Sequence, residues 1–170
     1  MRRAAGMTAA LVLLCGVDAV PAQVPAVIGT WKLNAAASKL HGPAPQSEVR
    51  SYRLTRSGLL IGVAVSIDAH GQPQFLQFAA RPDGKDYPEF DTRSAAEYLA
   101  AGTVPARTYA EFPTADRRKV RWVDKARGAV IASGEKWVSA DGQRLSFSLD
   151  AADPQGHPFH SLYVFDRTGP

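Results

Sequence analysis

Gly29-Thr30-Trp31-Lys32-Leu33 opens the folded part of this 170-residue chain, and how that stretch is read decides the fold. It reads as a short strand, the first in a succession of short strands and tight turns. Residues 47–56 form the next strand, with Ser57-Gly58 as the turn after it. Residues 59–68 alternate most clearly: Leu59, Ile61, Val63, Val65 and Ile67 share one face, and Leu60, Gly62, Ala64 and Ser66 share the other. His70-Gly71 turns the chain into a strand over 74–81. Asp83-Gly84 and Asp141-Gly142 are hairpin signals, because a type I′ turn needs positive φ at both central residues. Further strands fall near 107–112, 119–124, 129–138, 144–150 and 158–167. Asn34 to Ser38 suits one helical turn, and the His41-Gly42-Pro43-Ala44-Pro45 loop excludes helix. Residues 89–106 interrupt the meander, with a short helix expected over 93–101, stopped by Gly102 and Pro105. The pattern predicts an all-β fold, an antiparallel up-and-down barrel of eight or nine strands with a short helical insertion. Closing the sheet removes the exposed edges it would otherwise have to protect.

The first 22 residues are expected to lie outside that domain. Arg2-Arg3 form a positive n-region, Ala4 to Val17 an apolar stretch, and Val20-Pro21-Ala22 a small-residue site before Gln23. This is the layout of a secretory signal peptide, leaving residues 23–170 as one barrel domain. The apolar stretch is too short, and too close to Asp18, for a membrane span. Cys15 would allow a lipid anchor instead, but Leu14 before it is not the small residue such sites want. Cys15 is the one cysteine of the sequence, so the cleaved chain has no disulfide, thiol nucleophile or thiolate metal site. An exported chain without disulfides points to a bacterial periplasmic or secreted protein.

The formal net charge is +4. The densest basic run, Arg117-Arg118-Lys119 with Arg121, Lys125 and Arg127, alternates with Val120 and Val123 as on an outer strand. It reads as solvated charge and not as a nucleic-acid surface. His157 and His160 fall on opposite strand faces and His41 and His70 in loops, so no metal set is expected. Asp83, Asp86, Glu89 and Asp91 around Tyr87 read as a solvated turn and loop, and their spacing fits no EF-hand. No nucleophile elbow, phosphate loop or dinucleotide fingerprint is present. No catalytic residue and no cofactor is therefore assigned. The barrel interior is the remaining candidate. Tyr52, Phe78, Trp122, Phe147 and Tyr163 are the aromatics expected to point inward, as pocket lining or as core. Gly62, Ala64, Ser66, Ala132 and Gly134 are small residues that would leave space beside them.

Taken together, GTWKLNAAASKL, GPAPQS, DAHGQP, DGKDYP, SADGQRLSF and the closing LYVFDR resemble a group of exported bacterial lipocalin-like proteins, over nearly all of residues 23–170 and least over 89–117. The resemblance implies a calycin-type barrel in which Trp31 closes one end and packs under Arg167 of the last strand, a structural pair. It carries over no catalytic residue. Three functions stand as expectations. The first is a binding module holding a small hydrophobic or amphipathic molecule in the barrel. The second is a barrel enzyme of isomerase or hydrolase type, which needs a titratable group with a perturbed pKa inside the cavity, sought near Tyr98 and Asp86. The third is a filled barrel acting through its surface. No nucleic-acid partner is expected, and the oligomeric state is left open.

Overall fold

The computed structural model describes residues 25–92 and 107–170, so the expected leader over 1–22 and the expected helix over 93–101 lie outside the described residues. Ten antiparallel strands form a closed barrel in which each pairs with its neighbour in sequence and the first closes on the last. They are β1 (Gly29–Leu33), β2 (Ser47–Leu54), β3 (Leu60–Ile67), β4 (Pro73–Ala80) and β5 (Tyr87–Asp91), then β6 (Arg107–Pro113), β7 (Lys119–Ala126), β8 (Ala129–Val138), β9 (Arg144–Ala152) and β10 (Pro158–Gly169). The meander expected from the sequence is present with one strand more. The addition is β5, from a stretch read as the start of an excursion, whose Leu76–Asp91, Gln77–Phe90 and Phe78–Glu89 pairs hold it to β4. A single 3₁₀ turn, Ala35–Ala37, comes after β1, capped by the Asn34 side chain accepting from Ala37 N at 3.0 Å.

Two hairpin loops use the same chemistry. Asp68 Oδ1 accepts from the amides of His70 and Gln72, and Asp153 Oδ1 accepts from those of Gln155 and His157, each at 2.9 Å. Such Asx turns hold the chain reversal with a side-chain acceptor where a backbone one is lacking.

The alternation in β3 decides what faces inward, and it is the small face. Leu60 and Gly62 are buried while Val65 is 53 % exposed. The reason lies across the strand. A Cβ on Gly62 would collide with the Phe78 ring, which lies over the glycine. Gly134 is likewise closed off, since a Cβ there would collide with the Ser148 carbonyl oxygen. These two glycines do not leave open space, as the sequence suggested; they admit a neighbour.

Trp31 of β1 and Arg167 of β10, opposite each other in the register, form a packed pair. The Trp31 indole is fully buried and donates to the Val27 carbonyl at 2.8 Å. The Arg167 guanidinium lies over it with Cζ 4.1 Å from the ring centroid. Arg167 also donates to the carbonyls of Ile28 (2.9 Å), Ala26 (3.2 Å) and Gly142 (2.7 Å). Gly29 is needed for this, because its φ of +135° is closed to other residues and a Cβ there would lie 2.5 Å from Arg167 Nη1.

Candidate functional site

Side chains of β2, β4, β6, β7 and β9 surround a cavity of about 170 Å³. Tyr52, Phe78, Tyr109, Trp122 and Phe147 supply aromatic walls, Leu76 and Leu149 complete the apolar part, and Arg50 and Asp124 are its ionisable groups. Four of the five aromatics singled out in the sequence thus line it. Tyr163 does not; it packs behind, edge-on to Phe147 at 6.2 Å. The rings brace one another: Phe78 stacks on Tyr109 at 3.9 Å and Trp122 on Phe147 at 4.6 Å. Of the small residues, Ala64 and Ser66 border an outer cleft of about 220 Å³ that shares Arg50 and Leu76 with the cavity and reaches Asp91 and Thr92. Ala132 is packed against the core cluster.

The barrel interior is far more charged than the sequence reading expected. Glu48, Glu89, Asp91, Glu111 and Lys136 are all buried. Lys136 forms a salt bridge with Glu111, and Tyr109 donates its hydroxyl to the same carboxylate at 2.5 Å. The Lys136 ammonium also stands 4.7 Å from the centre of the Tyr52 ring. Burial, and then the neighbouring Glu111 charge, hold the Tyr109 phenol well above its ordinary range. Arg50 donates to Glu48 at 2.7 Å and lies over the rings of Phe147 (4.2 Å) and Phe165 (5.1 Å). Burial opposes its charge, and Glu48 and Tyr52 more than offset that, so the guanidinium is held firmly protonated.

A third group lies where β5, β6 and β7 meet. Arg107 Nη2 reaches Asp91 at 3.3 Å and Glu89 at 3.6 Å. The Glu89 and Asp124 carboxyls face each other; both Glu89 oxygens and Asp124 Oδ1 are buried with no N–H or hydroxyl donor in hydrogen-bond range among the described residues, so a proton shared between the two carboxyls is what bridges them. Burial pushes the Glu89 carboxyl upward, and Asp91 adds to this against the pull of Asp124 and Arg107. Burial, and then the adjoining Glu89, push Asp124 up to about 8, with Arg107 and Arg50 opposing. Two carboxyls facing each other out of water cannot both carry charge cheaply, so the proton resides on Asp124.

The acidic run in the sequence therefore divides. Asp83 and Asp86 are exposed, Asp83 accepting from Tyr87 and Asp86 paired with Lys125 at 2.8 Å, while Glu89 and Asp91 turn inward. The basic run lies on the barrel exterior: Lys119 pairs with Glu135, Arg118 with Asp116, and Arg121 covers Phe112. His41 stacks on Phe159, and His157 and His160 each meet an aspartate, Asp153 and Asp150. Among the described residues no group of three or more His, Cys, Asp or Glu is placed to hold a metal ion. Nor is any described helix long and apolar enough to cross a membrane.

The missed residues did leave a signal. Arg50 and Tyr52, Tyr109 and Glu111, and Trp122 and Asp124 are each two apart on a strand, so whichever face takes the aromatic takes the charge with it.

The chain is thus a closed antiparallel barrel, each strand paired with its neighbour in sequence, with an aromatic and ionisable interior. Among solved structures the chain is similar to the fluorescent protein UnaG. The wild-type structure matches with a TM-score of 0.51 and 13% identity, covering 83% of this chain and 96% of that one. An asparagine-to-glutamine mutant of the same protein matches with a TM-score of 0.55 and 13% identity, covering 86% and 99%. At this identity the likeness is one of fold. Comparisons with protein-family models and with curated protein sequences find no match.

Proposed function

We propose that this is an exported bacterial lipocalin-like protein that holds a small amphipathic molecule inside the barrel. Tyr52, Phe78, Trp122 and Phe147 form the apolar wall, and Tyr163 braces Phe147. The observation that carries this reading is the convergence of those rings with Asp124 on one partly open cavity. Aromatic walls with a few convergent polar groups are the usual make-up of small-molecule sites. The calycin-type fold supports it as well. The volume bounds the occupant. About 170 Å³ is close to the ~150 Å³ that takes benzene in an engineered cavity and below the ~300 Å³ at which most ligand pockets begin. The space between the walls therefore takes a body of about one ring, with the outer cleft beyond Arg50 and Leu76 adjoining it. Export rests on the layout of residues 1–22 and implies a mature N-terminus at Gln23, whereas a lipid anchor would place it at Cys15.

Native mass spectrometry of the protein purified from the periplasm of its own host tests both points. The expected result is a chain beginning at Gln23 with a reproducible extra mass that is lost on denaturation. A bare chain that also fails to bind one-ring aromatics would contradict the binding reading.

A barrel enzyme of isomerase or hydrolase type is the second reading, and Asp124 favours it. A carboxyl that titrates at about 8 inside a cavity is suited to exchange a proton with a bound molecule near neutrality. Turnover abolished in Asp124→Asn, with binding retained, would distinguish it from simple binding.

A further inference from the structure

On the binding reading above, we propose that the occupant is an organic cation: a protonated amine on a single-ring apolar body, its ammonium seated against Asp124 and its ring among Tyr52, Phe78, Trp122 and Phe147.

The charges around the cavity point to this sign. Three cations and five carboxyl groups surround it, and the cations are committed. Arg50 is paired with Glu48, and its plane lies over Phe147 and Phe165. Lys136 is paired with Glu111. Arg107 is divided between Asp91 and Glu89. Asp124, which lines the cavity, has no salt bridge among the described residues, and the Glu89 side chain beside it is 1 % exposed, sharing a proton with Asp124 and reached by Arg107 only at 3.6 Å. Keeping a proton on Asp124 removes one of the two surplus negative charges. A ligand that brings a positive charge can take that proton's place. An ammonium brings three donors, which suits two carboxyls that otherwise have one proton between them. The surrounding ring faces favour a cation as well. An anionic ligand would face two carboxyl groups, with Arg50 already bound to Glu48.

The exchange is balanced. The charged amine enters, Asp124 gives up its proton to solvent, and the new ammonium–carboxylate pair replaces the O–H bond. Asp124 is faced by Glu89 from β5, Arg107 and Tyr109 from β6, and Arg50 from β2, with Asp91 beyond Glu89. Because the proton competes with the ammonium, apparent affinity falls as pH drops below about 8. Between pH 8 and pH 6 the ionised fraction of Asp124 goes from one half to about one in a hundred, so binding weakens about 50-fold.

Isothermal titration calorimetry of the purified protein with benzylamine, toluene and benzoate tests this. The expected result is benzylamine binding at least tenfold more tightly than the other two at pH 8, weakening about 50-fold at pH 6. Runs at pH 7 in buffers of different ionisation heat should show nearly one proton released per amine. Asp124→Asn should lose at least tenfold for benzylamine and keep toluene. Toluene or benzoate binding as tightly as benzylamine would overturn the amine assignment and leave the cavity reading standing. If none of the three binds, both fall. Glu89→Gln guards against an Asp124 variant that does not fold. It removes the charge that helps to hold the proton on Asp124, so the loss between pH 8 and pH 6 should shrink to less than tenfold; an unchanged 50-fold loss would overturn the proposal.

Discussion

Replacing Asp124 by asparagine should stabilise the protein, and the gain should depend on pH in a way fixed by the cavity. In the unfolded chain this carboxyl titrates at its ordinary 3.8, and in the barrel at about 8. Between those values the native state binds a proton that the unfolded state has lost, so native stability falls as pH rises from about 4 to 8 and levels off above. At pH 7 the mismatch spans the interval from 3.8 to 7, about three pH units at ~1.4 kcal/mol each, or ~4 kcal/mol at the limit. Relaxation and water entry around a partly accessible side chain reduce this, and about 2–4 kcal/mol is the working figure. Asparagine keeps the shape, cannot ionise, and offers its amide N–H to Glu89. The variant should therefore match the parent near pH 4 and exceed it by about 2–4 kcal/mol at pH 7, on the order of 5–15 °C in melting temperature for a domain of this size. Urea and thermal unfolding followed by circular dichroism at pH 4, 5.5, 7 and 8.5 would measure it. Parallel pH profiles for parent and variant would refute the reasoning, because they would mean that Asp124 does not carry the shifted titration.

Three other substitutions probe the frame around the cavity. Trp31→Ala empties the buried space of the indole and strands the Arg167 guanidinium, and should cost about 3–5 kcal/mol in urea denaturation. Gly62→Ala sets a methyl into the Phe78 ring, so Phe78 must move; a cost of about 1–3 kcal/mol and a smaller cavity, seen as weaker binding of one-ring probes, are expected. Lys136→Met leaves Glu111 buried without its cation and should cost about 3–5 kcal/mol, while Lys136→Met with Glu111→Leu should recover part of it, the remainder reflecting the buried Tyr109 hydroxyl left without its acceptor. A double variant no more stable than the single one would refute the ion-pair account.

The strands were legible because their period-two patterns are long and the chain reversals between them carry turn residues, the Asx loops at Asp68 and Asp153 among them. The type I′ expectation was wrong in detail: at Asp83-Gly84 and Asp141-Gly142 only the glycine takes positive φ, and among the described residues the pair with positive φ at both positions is Arg127-Gly128, between β7 and β8. β5 was not, because Tyr87-Pro88-Glu89-Phe90-Asp91 contains a proline and two acids and lacks an apolar stripe. It becomes a strand only through pairing with β4 and β6. Inward aromatics could be named, but the volume they leave depends on rotamers. The Phe78 ring lies over Gly62 and takes the room that the glycine seemed to leave. The charged interior was the least legible part. Glu89 and Asp91 resemble a solvated loop in one dimension, and only ring closure brings them to Arg107 on β6 and Asp124 on β7. The same holds for Lys136, whose partner Glu111 is 25 residues away and two strands across the sheet.

The claim that the barrel interior is the working site is tested most directly by a crystal structure of the protein purified from its own host, without added ligand. The account predicts discrete, non-water density between the Trp122–Phe147 stack and the Phe78–Tyr109 stack, with its polar end against Asp124. Rings collapsed onto one another over Asp124, with no space between them, would contradict it and move the site to the barrel surface.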